Sequence, residues 1–312
     1  MTRIWMGLAL GFGLSACGGT APFGTGTETP TDGSVGGVDV PEALAGNLES
    51  FTYNADAETL TVRGVAADGA TIESAYRRRP GLDRPGYQAY TAQDASNGRH
   101  STAYVASING TQAAVVGTGV QYENVYAGGA YSSNNYAAPE TGSGNSGLVY
   151  YTGRYIGLLN GPGSTEDLTP PNPGEDPSVT TAQAAEVTGD MQITADFATS
   201  NVDGVVYNRV IADYDSSGSY SPNAKTPLEV TDLALEGTAI QENGSFTGTV
   251  EQDNRAVGEY GGVFGGAGAT EVAGVLRVEN HLEAFENEIE YGLFVLGQCA
   301  PPASGPDCDL TP

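Results

Sequence analysis

Short runs in which apolar or β-branched residues alternate with polar ones, divided by turn residues, organise most of this chain. That period of two predicts half-buried strands. In the first half the runs occupy residues 48–53, 59–65, 71–76, 102–108 and 112–119. Asp68-Gly69 and Asn109-Gly110 are the strongest hairpin turns among them, because a two-residue loop needs positive φ at its centre and these residue pairs accept it. The second half holds eight further runs, at 148–159, 190–198, 202–212, 228–240, 245–252, 259–265, 271–279 and 289–297. Eight strands close into a barrel whose interior is filled by side chains or by one small ligand, and closure removes both sheet edges. The predicted fold class is all-β: an eight-stranded soluble β-barrel in the C-terminal half, preceded by a smaller β-rich handle-like domain.

Segments without such a period set the boundaries. Residues 17–46 are rich in Gly, Thr, Pro and Asp and are expected to form a flexible tether. The handle-like domain is expected at 47–132, a polar linker at 133–146, the barrel at 147–298 and a short tail at 299–312. A second polar loop, 161–177, interrupts the barrel half. The end of the chain, Asp309-Leu310-Thr311-Pro312, is not an aromatic-ended strand, and polar residues fall on both faces of the runs, which argues against an integral outer-membrane barrel.

The N-terminus carries an address. Arg3 precedes an apolar run, 4–14, too short to span a bilayer, which needs roughly 20 residues. Residues 1–16 therefore read as a signal peptide. Leu14-Ser15-Ala16-Cys17 resembles the lipobox of bacterial lipoproteins, where the cysteine is acylated and becomes the new N-terminus. Several acyl chains on Cys17 would anchor the protein durably, since each buried methylene contributes about 0.8 kcal/mol. The expected location is the outer membrane, held by lipid. Of three cysteines, Cys17 is then consumed by lipid, and Cys299 and Cys308 remain to form a disulfide across a turn-rich stretch.

Composition narrows the partners. With 38 acidic against 12 basic residues the net charge is −26, which excludes a nucleic-acid partner, because phosphate backbones are held by Lys and Arg clusters. Lysine is represented by Lys225 alone, and the abundance of Gly, Thr, Val and Tyr suits strands.

One stretch carries a family resemblance. Gly261-Gly262-Val263-Phe264-Gly265-Gly266-Ala267-Gly268-Ala269-Thr270-Glu271-Val272-Ala273-Gly274-Val275 resembles the barrel signature of the transferrin-binding protein B family, with Gly265 in place of the usual aromatic residue and Ala273 in place of the first glycine of the closing pair. Gly244-Ser245-Phe246-Thr247-Gly248 is similar to the strand before it, Ala195-Asp196-Phe197 with Val202-Asp203-Gly204 to the second hairpin, and Tyr150-Tyr151-Thr152-Gly153 to the first strand. The resemblance covers about half of the chain. It implies an eight-stranded lipoprotein barrel with a smaller handle domain. Physically the motif marks fold rather than chemistry: its glycines permit sharp strand bends, Phe264 anchors a core, and Glu271 is expected to accept hydrogen bonds from backbone amides of the 265–269 turn. No residue that grips transferrin is carried over.

Catalytic constellations are scarce, and the chain is expected to be neither an enzyme nor a holder of a cofactor or metal. His100 and His281 fall in separate expected domains, so no zinc set forms. Haem ligation by His281 is the sharper alternative to a solvated loop histidine, which is the expectation. No Gly-x-Ser-x-Gly elbow occurs, and the Gly142-x-Gly144-x-x-Gly147 string lies in a polar loop before a strand, the wrong context for a dinucleotide. Asp213-x-Asp215-x-Ser217-Gly218 is half of a calcium loop, with Ala224 where a bidentate glutamate belongs.

Against the acidic background Arg77, Arg78, Arg79 and Arg84 stand together, with Arg63 and Arg99 nearby and Tyr76, Tyr87 and Tyr90 between them. Guanidinium groups so placed bind carboxylate or sulfate, and these four form the candidate ligand-binding cluster; internal pairing with the chain's own carboxylates is the competing reading. The functional expectation is a membrane-anchored binding module for a host protein, a metal carrier or a small nutrient. The alternative is a structural or adhesive envelope lipoprotein, using loops such as 121–136.

Overall fold

The computed structural model of the chain describes residues 34–35, 38–65, 71–119, 125–142, 146–163, 165–174, 181–215, 226–283, 285–299 and 308. Cys17 and the rest of the signal peptide, the Asp68-Gly69 turn and most of the half calcium loop lie outside them.

Two large antiparallel sheets and a small ribbon make up the described residues. A minimal ribbon, β1 (Ser34–Val35) and β2 (Val38–Asp39), leads into a one-turn helix, α1 (Glu42–Ala45). The first sheet is a seven-stranded meander of β3 (Leu48–Asn54), β4 (Thr59–Val65), β5 (Thr71–Arg78), β6 (Gln88–Ala92), β7 (Ser101–Ile108), β8 (Thr111–Thr118) and β9 (Ala127–Ser132), each hydrogen-bonded to the next. It curls until its ends nearly meet. Asn47, just before β3, donates its amide N–H to Ala127 O at 2.9 Å, and its side chain donates to Val65 O at 3.2 Å, tying the first, second and last strands together. The Asn109-Gly110 turn behaves as its sequence predicts, with φ of 48° and 87° between Ile108 and Thr111.

The second sheet contains β10 (Leu148–Pro162), β11 (Ala184–Asp196), β12 (Asn201–Asp215), β13 (Pro227–Glu229), β14 (Leu233–Ala239), β15 (Ser245–Gln252), β16 (Arg255–Gly265), β17 (Glu271–Glu279) and β18 (Ile289–Cys299). Because β11 pairs with β12 as well as with β10, all but β13 form a closed eight-stranded barrel. Along β10 the inward positions are Val149, Tyr151, Tyr155 and Leu159, while Ile156 and Leu158 face outward. The lumen is packed solid: Tyr151, Tyr155, Phe246, Tyr260, Phe264 and Phe294 are each buried within it. Burial of such a side chain contributes about 1.5–3 kcal/mol.

The outward residues of β10 are not solvated, because the first sheet packs on them. Ile156, Leu158, Val263, Val275 and Leu293 of the barrel wall share one apolar cluster with Val105, Val115, Val116 and Tyr131 of the first sheet. Glycines permit the approach: a Cβ at Gly117 would press on Leu158, and one at Gly129 on Val275. The handle and the barrel are thus joined by a continuous core.

Several expectations need correction. Val38, Val40 and Leu44 are buried, so the tether expected to run to residue 46 gives way to packed chain by residue 38. Tyr291 donates a 3.1 Å hydrogen bond to Ala43 O, fixing α1 on the barrel. Strands β6 and β9 carry no predicted run. The run at 228–240 is broken into β13 and β14, since the chain turns where Thr231 O receives Arg209. β11 begins six residues earlier than its alternation does, because Ala184–Val187 is buried on both faces.

Candidate functional site

The arginine cluster lies where the handle meets the barrel. Arg78 forms a two-pronged pair with Asp83 at 2.6 and 2.7 Å and sits over the Tyr90 ring. Arg79 reaches Asp167 at 2.5 Å, and Arg84 pairs with Glu186. Arg77 is exposed. Since Asp167 belongs to the loop between β10 and β11 and Glu186 to β11, two of the four arginines bind barrel carboxylates. The internal-pairing reading therefore describes Arg78, Arg79 and Arg84, and of the cluster only Arg77 faces solvent.

Around Asp167 a polar clasp has formed. Its carboxylate accepts from Thr91 Oγ1 at 2.6 Å, from His100 Nε2 at 3.0 Å and from Arg79. Burial would raise the Asp167 carboxyl, but the two hydrogen bonds and the guanidinium hold it below its ordinary value. Burial lowers His100, only partly offset by Asp167. With Nε2 donating, His100 Nδ1 is left buried without a partner. The same loop is fastened by Thr169 N to Gln93 Oε1 at 2.7 Å and by Asn172 Nδ2 to Ser96 Oγ at 3.0 Å.

A second polar group is enclosed in the barrel. Asn208 takes φ of 51° and shifts the β11–β12 register, so that Arg209 and Ile211 point into the lumen after Val202 and Val206 have done so. Arg209 then meets Glu290 at 2.7 Å, and Glu290 also receives His281 Nε2 at 3.1 Å and the Tyr155 hydroxyl. Burial alone would raise the Glu290 carboxyl, yet Arg209, His281 and Tyr155 bring it down to about 2. His281 is thus a buried member of an ionic network, not the solvated loop residue expected; its backbone N–H and that of Leu282 are bound by Glu288.

Glu271 also differs from expectation. It accepts a hydrogen bond from the Asn109 side chain at the tip of the β7–β8 hairpin, not from amides of its own turn. Gly265 lies under Thr111 and Ser133 of the handle, where any Cβ would overlap the Thr111 hydroxyl. The absence of a side chain at Gly265 makes room for the handle. Cys299 and Cys308 form a disulfide. Among the described residues no three His, Cys, Asp or Glu side chains are grouped to hold a metal ion.

A further opening lies elsewhere. A cleft of about 770 Å³ lies in the handle where β5 parts from β6, with Tyr76 and Tyr126 in its walls and Glu73, Asp94 and Arg99 as its charged residues. Sequence reasoning noted Arg99 only as a neighbour of the cluster; the splitting of two strands leaves no local signal.

No protein-family model and no curated protein matches the chain. Solved structures do. A double mutant of the vaccine antigen Transferrin Binding Protein B from Haemophilus parasuis Hp5 aligns over 80% of this chain and 52% of its own at 14% identity, with a TM-score of 0.36. A single mutant of that antigen gives 11% identity and a TM-score of 0.34, over 80% and 53% of the two chains. The isotype 1 Transferrin binding protein B of serogroup B Neisseria meningitidis gives 12% identity and a TM-score of 0.32, over 80% and 51%. The chain spans about half the length of the structures it matches.

Proposed function

We propose that this chain is a lipid-anchored envelope protein whose handle and barrel together form a rigid module for binding a protein partner. The observation that carries this reading is the filled barrel. Tyr151, Tyr155, Phe246, Tyr260, Phe264 and Phe294 pack the lumen together with the buried Arg209–Glu290 pair, leaving no room there for a haem or a small nutrient. A ligand must then be met outside the lumen, and the outer surface is where large partners bind. The lipobox at Cys17 and the resemblance of residues 261–275 to a lipoprotein barrel support the envelope location.

The test uses the full lipidated chain in detergent micelles, offered a panel of host iron-carrying proteins and, separately, free haem. Saturable retention of a protein with no change in the haem absorption spectrum is expected. Haem titration without retention of any protein would sink the proposal. Retention of neither would favour the structural or adhesive alternative.

A further inference from the structure

We propose that the handle cleft receives an extended peptide of the partner protein, which adds to the sheet as a strand along β5 and sets a carboxylate against Arg99. This rests on the protein-binding reading above and names the contact it uses.

The sheet is split at this point. β5 pairs with β4 along its length from Thr71 to Tyr76, but with β6 only at Arg77↔Thr91 and Arg78↔Tyr90. The Arg79 N–H donates to Ala89 O at 2.8 Å. Successive residues of a strand aim their main-chain groups to opposite sides, so Arg79, Arg77, Ala75 and Glu73 share the side that faces β6. At Ala75 and Glu73 the sixth strand has turned away, and among the described residues no strand pairs with that edge. The edge opens into the cleft. Its far wall is built by Gln93 and Asp94, where the chain leaves β6, and by Arg99 and Ser101, where it enters β7. A bare strand edge facing a second wall suits strand addition: main-chain hydrogen bonds supply affinity, and contacts at alternate side chains supply selectivity.

Charge indicates the kind of peptide. Arg63, Arg78, Arg79, Arg84, Arg154, Arg209 and Arg277 each have a carboxylate within the chain. Arg99 is half-buried in the cleft wall and makes no ion pair among the described residues, although the chain has 38 acidic side chains to offer. A guanidinium left over in this way is placed for an external carboxylate. Glu73 and Asp94 on the same cleft disfavour a run of acids, so the peptide carries one acidic residue among neutral or basic ones.

The test pans random linear peptides against the full chain. Enriched peptides are expected to share an acidic position, to slow hydrogen exchange at the Glu73 and Ala75 amides, and to bind Arg99→Gln about ten- to a hundredfold more weakly, the loss of one charged hydrogen bond. Ala75→Pro removes an edge donor where a strand tolerates proline and is expected to abolish binding at an unchanged melting temperature; should that variant unfold, Arg99→Gln and the exchange pattern still decide. No enrichment, unprotected Glu73 and Ala75 amides, or equal binding to Arg99→Gln would overturn the proposal, as would self-association that depends on Ala75. A captured protein partner indifferent to both substitutions overturns strand addition and leaves the protein-binding reading standing. Peptide binding as described, with no protein captured, does the reverse.

Discussion

Asn109, at the tip of a handle hairpin, donates a 2.7 Å hydrogen bond to Glu271, the buried glutamate of the barrel signature. The two residues lie 162 positions apart, and the bond joins the Asn109-Gly110 turn of one sheet to the glycine-rich bend of the other. Asn109→Gly keeps a residue suited to the positive φ of the turn and removes only the donor. The variant should lose about 1.5–3 kcal/mol in urea unfolding, as expected for a hydrogen bond to a charged group. A change below about 0.5 kcal/mol, the usual size of surface effects, would show that Glu271 finds another partner.

Placing an aromatic residue at position 265 should be harmful. Gly265→Phe puts a ring where Thr111 and Ser133 already lie, so the handle must lift from the barrel wall. The melting temperature should fall, and protease sites on the handle should open first. A variant as stable as the parent would mean that the space can be repacked.

The Arg84–Glu186 pair offers a direct comparison of the two readings of the arginine cluster. Arg84→Gln leaves the buried Glu186 carboxylate without its guanidinium, which should cost about 3–5 kcal/mol. Arg77→Gln, on an exposed side chain, should change stability by less than about 0.5 kcal/mol. Equal effects in chemical denaturation would remove the distinction drawn between them.

Acid should act on the protein in two ranges. The Glu290 carboxyl is held at about 2 against an ordinary 4.5, so its contribution is complete above pH 4.5 and is lost as pH falls from there toward about 2. His100 is lowered from 6.5, so below that pH the unfolded chain binds the proton more readily and stability declines as pH drops. Melting temperature followed against pH should lose its lower limb in Glu290→Gln and part of its decline below pH 6.5 in His100→Gln. Superimposable curves for variants and parent would contradict both assignments.

Anchoring has the simplest readout. Cys17→Ala should move the protein from the detergent phase to the aqueous phase in phase partitioning, because the acyl chains have no other attachment in the lipobox. Partitioning that stays with detergent would place the anchor elsewhere.

Local sequence determined a good part of this protein. Where one face of a strand is buried and the other wet, alternation can be read directly: β4 and β15 fall on the predicted residues, and the eight barrel strands were countable from their runs. The Asn109-Gly110 turn was legible for a stereochemical reason, since few residue pairs accept positive φ twice. Strands β6 and β9 were not, because the handle is pressed between its own core and the barrel. With both faces covered, Ala-Gly-Gly-Ala-Tyr-Ser at 127–132 has no polar side to alternate with. Leu44 reads as tether for a similar reason: it packs against partners far along the chain, Gly261 among them, more than 200 residues away. The arginines show the limit most plainly. Their density against an acidic background is a property of the sequence, but whether each finds an acid depends on where the fold delivers Asp167 and Glu186, and charge pairing acts through space over a few ångströms, whatever the distance along the chain.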